Sequence, residues 1–141
     1  RVDRRQRQMC IRDRAWTVVK KSNLDLAKAY KGIAVSSGNS FVHETESQVI
    51  LNGSYNINFT MDLVLKDTGL FDDLAKKLDA PLEISPKVVE IFKDGQKKYG
   101  SRAWSSMIVK RMEDLNNIDF RAKGFPEELT DNEPEEKGYE I

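Results

Sequence analysis

Phe59-Thr60-Met61-Asp62-Leu63-Val64-Leu65-Lys66-Asp67-Thr68-Gly69-Leu70 carries the strongest pattern in the chain and also its clearest contradiction. Threonine accepts hydrogen bonds from the first free amides of a helix, so Thr60 predicts a helix start, and the pattern continues to about residue 78. Leu63, Val64, Leu70, Phe71, Leu74, Ala75 and Leu78 recur at helical spacing, as on a face packed against a core. Lys66 and Asp67 interrupt that face. A buried charge is costly unless paired, so such residues face each other, face another helix, or face a cavity that holds a ligand. Equally, Lys66 can run its stem along the edge of the stripe to solvent while Asp67 pairs locally. Spacing alone leaves both readings open. Gly69 costs a helix interior about 1 kcal/mol against alanine, and close approach of another backbone is the usual compensation.

The rest of the chain reads as further helices. Downstream, Ala80-Pro81 ends the first one, and Ser85-Pro86 opens another that carries Val88, Val89, Ile91, Phe92 and Gly95 toward a stop at Gly100. A last helix is expected from residue 102 or 103 to residue 115, with Trp104, Met107, Ile108, Met112 and Leu115 on one face. Upstream, residues 54–59 alternate in character but are few enough to be a loop. Residues 40–51 form a helix closed by Gly53, with His43 as an exposed helix residue. Ser36-Ser37-Gly38-Asn39 is a break. Asn23 caps a helix with Leu26, Ala29, Tyr30, Ile33 and Ala34 inward, and residues 15–21 are the last turns of another. No pair of convincing strands exists to build a sheet, so the architecture is an all-α helical bundle.

Composition bounds the chemistry. At 141 residues with 39% apolar and 33% charged residues, the chain suffices for one soluble core. No run approaches the roughly 18 apolar residues that span a bilayer, and no apolar segment follows the arginine-rich start as a secretory signal requires. A cytoplasmic protein without membrane partners is expected. With one cysteine, Cys10, and one histidine, His43, neither a disulfide nor a clustered metal site has its ligands.

The formal net charge of zero hides six arginines against two aspartates in residues 1–14. Such an arm can bind nucleic acid. Met9-Cys10-Ile11-Arg12-Asp13-Arg14, however, resembles the translation of a transposase end sequence used in preparing sequencing libraries, so no nucleic-acid partner is expected. Residues 1–14 are accordingly expected to be a disordered scar outside the fold. The helical domain is expected over residues 15–120, and residues 121–141, acidic and proline-containing from Pro126 onward, form an extended tail.

The order of these motifs resembles the C-terminal helical domain of the β-hydroxyacid (3-hydroxyisobutyrate) dehydrogenase family, within the 6-phosphogluconate-dehydrogenase-like fold. Residues 59–70 are similar to that family's Phe, Leu, Lys-Asp segment. Ala80-Pro81-Leu82 and the Tyr99-Gly100 turn follow at the family's usual distances. Ser36-Ser37-Gly38-Asn39-Ser40-Phe41 resembles its serine-glycine turn leading to a pocket aromatic, usually tryptophan, so Phe41 keeps an apolar wall but loses the indole donor. The resemblance extends from Val18 to about Leu115. It implies that Ser37, Gly38, Phe41 and Phe59 line the substrate pocket, that Lys66 reaches the cofactor near its nicotinamide end, and that Asp67 orients Lys66. From the residues alone, Phe41 and Phe59 read as core packing.

The resemblance also implies NAD or NADP as cofactor, bound mainly by an N-terminal Rossmann domain. No Gly-x-Gly-x-x-Gly occurs here. The family's general acid or base is a lysine on a long interdomain helix, with an asparagine four residues later. Lys20 and Lys21 stand at the wrong distances from Asn23, so no catalytic residue is assigned. The expected function is that of a C-terminal domain of an NAD(P)-dependent 3-hydroxyacid dehydrogenase, an oxidoreductase acting on CH–OH. This domain closes the substrate and cofactor site and joins copies into a homo-oligomer, and the fragment is expected to be inactive alone. An alternative of another class is a stand-alone helical protein-interaction module with no catalytic role.

Overall fold

Helical apolar spacing without pairable strands produces the expected all-α architecture in the computed structural model, which describes residues 2–129. The elements are α1 (Val2–Lys21), α2 (Leu26–Ala34), α3 (Phe41–Asn52), α4 (Met61–Lys77), α5 (Ser85–Tyr99) and α6 (Lys110–Asn116), the last preceded by a 3-10 segment at Ser105–Val109. Thr60 and Trp104 form an isolated antiparallel bridge. Among the described residues no helix is long and apolar enough to cross a membrane.

The start of the chain is the main correction. Of residues 1–14, expected to be disordered and outside the fold, residues 2–14 instead supply most of α1, against which α2, α3, α4, α5 and α6 all pack. Gln6, Met9, Arg12 and Asp13 are buried there. The basic run enters the interior because its inward guanidinium is neutralised: Arg12 meets Asp13 at 2.9 Å and Glu46 of α3 at 3.4 Å.

Two apolar clusters flank α1. One joins Trp16, Leu26, Ile50, Leu51, Tyr55, Val109 and Phe120, and the other joins Met9, Val42, Val64, Val88, Phe92 and Ile108. Gly95 of α5 permits the second, since a Cβ there would lie 2.5 Å from Ile108 Cδ1. Gly69, by contrast, has nothing within 4 Å of a built Cβ, so it is not at a close helix contact.

Helix ends follow local chemistry with some shifts. Asp25, not Asn23, caps α2, accepting from Lys28 N at 2.9 Å, while Asn23 takes a left-handed conformation (φ 56°) that turns the chain out of α1. Ser40 caps α3 and Gly53 closes it at φ 102°. The single last helix expected from residue 102 or 103 is divided, with the 3-10 segment preceding α6.

The chain beyond residue 120 also departs from expectation. Residues 121–129 contain no helix, yet they strap the fold. Ala122 N donates to Leu51 O (3.0 Å), Asn52 Nδ2 to Phe125 O (3.0 Å) and Ser54 Oγ to Glu127 O (2.5 Å). Phe125 packs edge-on against Tyr30. The rest of the expected acidic tail, residues 130–141, lies outside the described residues.

Candidate functional site

The backbone just before α4 is held by the segment just before the 3-10 helix. Met61 N donates to Ala103 O (2.9 Å), Asp62 N to Ser101 O (3.1 Å), and Ser105 N to Phe59 O (2.8 Å). These bonds set Phe59 half-buried against the Met9–Phe92 cluster. Thr60 does not cap α4 through its side chain; its hydroxyl bonds to Asp62, whose carboxylate accepts from Leu63 N (2.9 Å) and meets Arg102 at 3.2 Å. The Thr60 hydroxyl, with help from Arg102 and Leu63 N, holds the Asp62 carboxyl below its ordinary range.

Lys66 and Asp67 follow in the next turn. Lys66 Nζ lies 3.3 Å from Asp67 Oδ1, with the lysine side chain 61% exposed and the aspartate 27%. Both readings of the interrupted stripe are therefore partly met: the charges pair with one another, and the ammonium reaches the surface, available to an external anion or carbonyl oxygen.

The other expected pocket residues lie at the start of α3. Ser37 and Gly38 occupy the exposed turn after α2, where Gly38 N donates to Ser36 Oγ at 3.2 Å. Phe41 is the first residue of α3 and is 66% exposed. Helices α3 and α4 each pack on α1, and Val42, next to Phe41 in α3, shares one apolar cluster with Val64 of α4. A cleft of about 320 Å³ at the α4–α5 connection, lined by residues including Asp72, Ala75, Asp79, Pro81, Leu82 and Pro86, contains none of the expected site residues.

The two lysines that stand at the wrong distances from Asn23 for the family's acid–base pair are engaged elsewhere. Lys20 pairs with Asp119 at 3.1 Å, and Lys21 donates to Asn116 O at 2.8 Å.

Sequence reasoning missed a buried polar group beside Trp16. His43, expected to be an exposed helix residue, is 3% exposed. Its Nε2 lies 2.9 Å from Tyr30 O, which can only accept, so Nε2 carries the proton and Nδ1 is left to accept from Ser47 Oγ at 3.4 Å. Its ring stacks on Tyr30 and meets Trp16 edge-on. Burial lowers the His43 pKa, and nearby Arg12 adds to that effect. One signal was readable: His43 and Ser47 stand four apart, on one helix face. Its partner Tyr30, on α2, could not be read at all.

A comparable network joins Tyr55, Glu113 and Arg121. The buried Glu113 carboxylate accepts from Tyr55 Oη (2.8 Å), Phe120 N (2.8 Å) and Arg121 (3.0 Å). Burial pushes the Tyr55 hydroxyl well above its ordinary range. These bonds fasten the strap to α6 and to the loop after α3. Among the described residues no group of three or more His, Cys, Asp or Glu gathers as metal ligands.

Comparison with known proteins gives the geometry a context. The family described as "NAD-binding of NADP-dependent 3-hydroxyisobutyrate dehydrogenase" matches residues 8–112. The chain is 27% identical over 96 residues to L-threonate dehydrogenase of Haemophilus influenzae, covering 68% of this chain and 32% of that protein. It is 30% identical over 87 residues to 2-(hydroxymethyl)glutarate dehydrogenase of Eubacterium barkeri, covering 61% of this chain and 29% of that protein. The chain thus spans about a third of the length of the curated relatives it matches.

Proposed function

Because the chain belongs to the family described as "NAD-binding of NADP-dependent 3-hydroxyisobutyrate dehydrogenase", we propose that it serves as the C-terminal helical domain of an NAD(P)-dependent 3-hydroxyacid dehydrogenase. The observation that carries this reading is the family match across α1 to α6, residues 8–112. In this role the domain closes over substrate and cofactor and joins copies of the chain.

The residues present fit one edge of a dinucleotide site and not a complete cradle. Lys66 offers a surface ammonium held by Asp67 at 3.3 Å, suited to an oxygen of the cofactor near its nicotinamide end, whereas no glycine-rich phosphate turn occurs in the sequence. When bound, the nicotinamide supplies the hydride chemistry. Phe59 and, from the start of α3, Phe41 with the Ser37-Gly38 turn contribute substrate-facing walls once the remaining part of the site stands against them. No residue of this chain is assigned as the base that takes the hydroxyl proton; Lys20 and Lys21 engage Asp119 and Asn116 O. The substrate class is a small 3-hydroxy acid.

The test is a graft. Residues 8–141 replace the matching segment of Haemophilus influenzae L-threonate dehydrogenase, and NAD(P)H absorbance is followed with a panel of 3-hydroxy acids. Turnover in the chimera, reduced by Lys66→Ala through a raised cofactor KM, is the expected result. A folded chimera that turns over none of the acids overturns the reading in favour of the protein-interaction module.

A further inference from the structure

One residue on the inner face of α4 is unlike its neighbours. Met61, Val64, Thr68 and Ala75 are buried there, and Asp72 falls on the same stripe, four residues after Thr68 and three before Ala75. Asp72 Oδ1 is sealed from solvent and has no hydrogen-bond partner. Asp72 lines the cleft of about 320 Å³ at the α4–α5 connection, together with Asp79, and its apolar walls are Ala75, Ala80, Pro81, Leu82 and Pro86. Among the described residues neither aspartate side chain makes an ion pair. Lys76 also borders the cleft, but its Nζ is drawn to Asp73 at 3.6 Å and its side chain is 77% exposed. The backbone supplies no counter-charge either. Ala80 N donates to Ala75 O (2.9 Å), Asp79 N donates to Lys76 O (3.2 Å), and Pro81 and Pro86 have no amide hydrogen.

We propose that this cleft is a binding site for a small aliphatic diamine, whose two ammonium groups meet Asp72 and Asp79 while its methylenes lie on the alanine, proline and leucine walls. A carboxylate taken out of water is costly until a cation meets it. The cleft holds one such carboxylate on the inner face of α4 and a second, exposed one at its rim, so a dication answers both. An ammonium has three donors and no acceptor, which suits groups that only accept. Other ligand classes fit less well. An anion would face two carboxylates. Calcium or magnesium needs about six converging oxygens, whereas Asp72 and Asp79 are separated by seven residues, roughly 10 Å at the 1.5 Å rise of a helix. Among the described residues no group of three or more metal-ligating side chains gathers. The volume stands at the low end of the about 300–1,000 Å³ typical of small-molecule sites, matching a short chain and not a dinucleotide. The cleft lies at the C-terminal end of α4, beyond Lys66 and Asp67, and the inference does not rest on the dehydrogenase reading.

Isothermal titration calorimetry of the full chain with putrescine and cadaverine, diamines of four and five methylenes, tests it, with circular dichroism verifying that each variant is folded. Saturable one-to-one binding and a raised thermal midpoint are expected. Asp72→Asn and Asp79→Asn should each weaken binding on the order of tenfold, because each removes a charge and keeps the shape. Asparagine also tolerates the left-handed conformation of Asp79 (φ 50°). Without amine, Asp72→Asn should not lower the thermal midpoint, since no partner is lost. Glu90→Gln, which removes the same charge from α5 outside the cleft, should leave the affinity unchanged. Butylamine, with a single ammonium, should bind about tenfold more weakly. Absence of saturable binding by both diamines overturns the site. Equal affinity for butylamine, an equal loss in Glu90→Gln, or tighter binding of magnesium overturns it as well. Turnover is not read in any arm, so each of these outcomes is distinct from failure of the dehydrogenase reading.

Discussion

The α1–α3 side and the α4 side of the molecule place their charges in opposite ways. On the α1–α3 side Arg12, Asp13, Glu46 and His43 are nearly inaccessible, and each meets a polar partner within the fold. On α4, Lys66 points outward beside leucines that are themselves exposed. An interrupted apolar stripe drew attention to α4, yet the deeply buried charges lie where the sequence looked merely basic. The difference teaches that the charge within the apolar pattern of α4 marks an exposed helix face, whereas a charge buried by tertiary packing leaves no periodic trace.

The contrast can be broken most severely at Arg12. Arg12→Ala removes the guanidinium from its buried contacts with Asp13 and Glu46, and a loss of about 3–5 kcal/mol in urea-unfolding free energy is expected. Arg12→Met, which retains the stem volume, paired with Glu46→Gln should recover much of that loss. If Arg12→Ala proves neutral, the burial of α1 against α3 is refuted. Trp16→Ala should cost a similar ~3–5 kcal/mol, because the indole fills the centre of its cluster between His43 and Phe120.

A smaller effect is expected at Gly95→Ala. The new methyl meets the flexible end of Ile108, and about 1–3 kcal/mol of overpacking should appear as a lower thermal midpoint. Gly69→Ala, with open space at its Cβ, should instead stabilise α4 by up to about 1 kcal/mol. That pair of glycines sharpens the distinction between an inner and an outer helix face.

His43 gives a pH-dependent version of the comparison. Its folded pKa lies below the ordinary 6.5, chiefly because burial opposes the imidazolium, with Arg12 adding to the depression while Tyr30 O and Glu44 work against it. The unfolded chain therefore binds the proton first as acid is added. His43's contribution is fully present above pH about 6.5 and is lost as pH falls from there through the lower folded value. Unfolding free energy measured from pH 7.5 to 5 should decline more in the wild type than in His43→Gln, and equal slopes would refute the assignment. The smallest effect is expected at Lys66→Ala, within about 0.5 kcal/mol of wild-type stability, since its ion pair is largely exposed.

Much of the helical skeleton was legible. Ser40 and Gly53 bound α3 as their cap chemistry requires, and Pro86 lies in the first turn of α5. The candidate site was legible only as residue types: Lys66 and Asp67 are neighbours whose pairing follows from the chain, while Phe59 and the start of α3 are brought together by a cluster of residues distant in sequence. What escaped reading came from contacts distant in sequence. His43 is taken into the interior by Tyr30 and Trp16, and Glu113 is made a strap anchor by Tyr55, Phe120 and Arg121.

Periodicity and capping act over three or four residues, so the sequence by itself determined the all-helical class, the approximate helix limits, and the family recognised through the order of short motifs. Which side of each helix faces inward depended on what packed against it. Leu70 and Leu74 are as apolar as Val64, yet of these Val64 joins the buried cluster with Val88 and Phe92 of α5 and Met9 of α1, because burial is decided by the three-dimensional partner and not by the residue's own hydropathy.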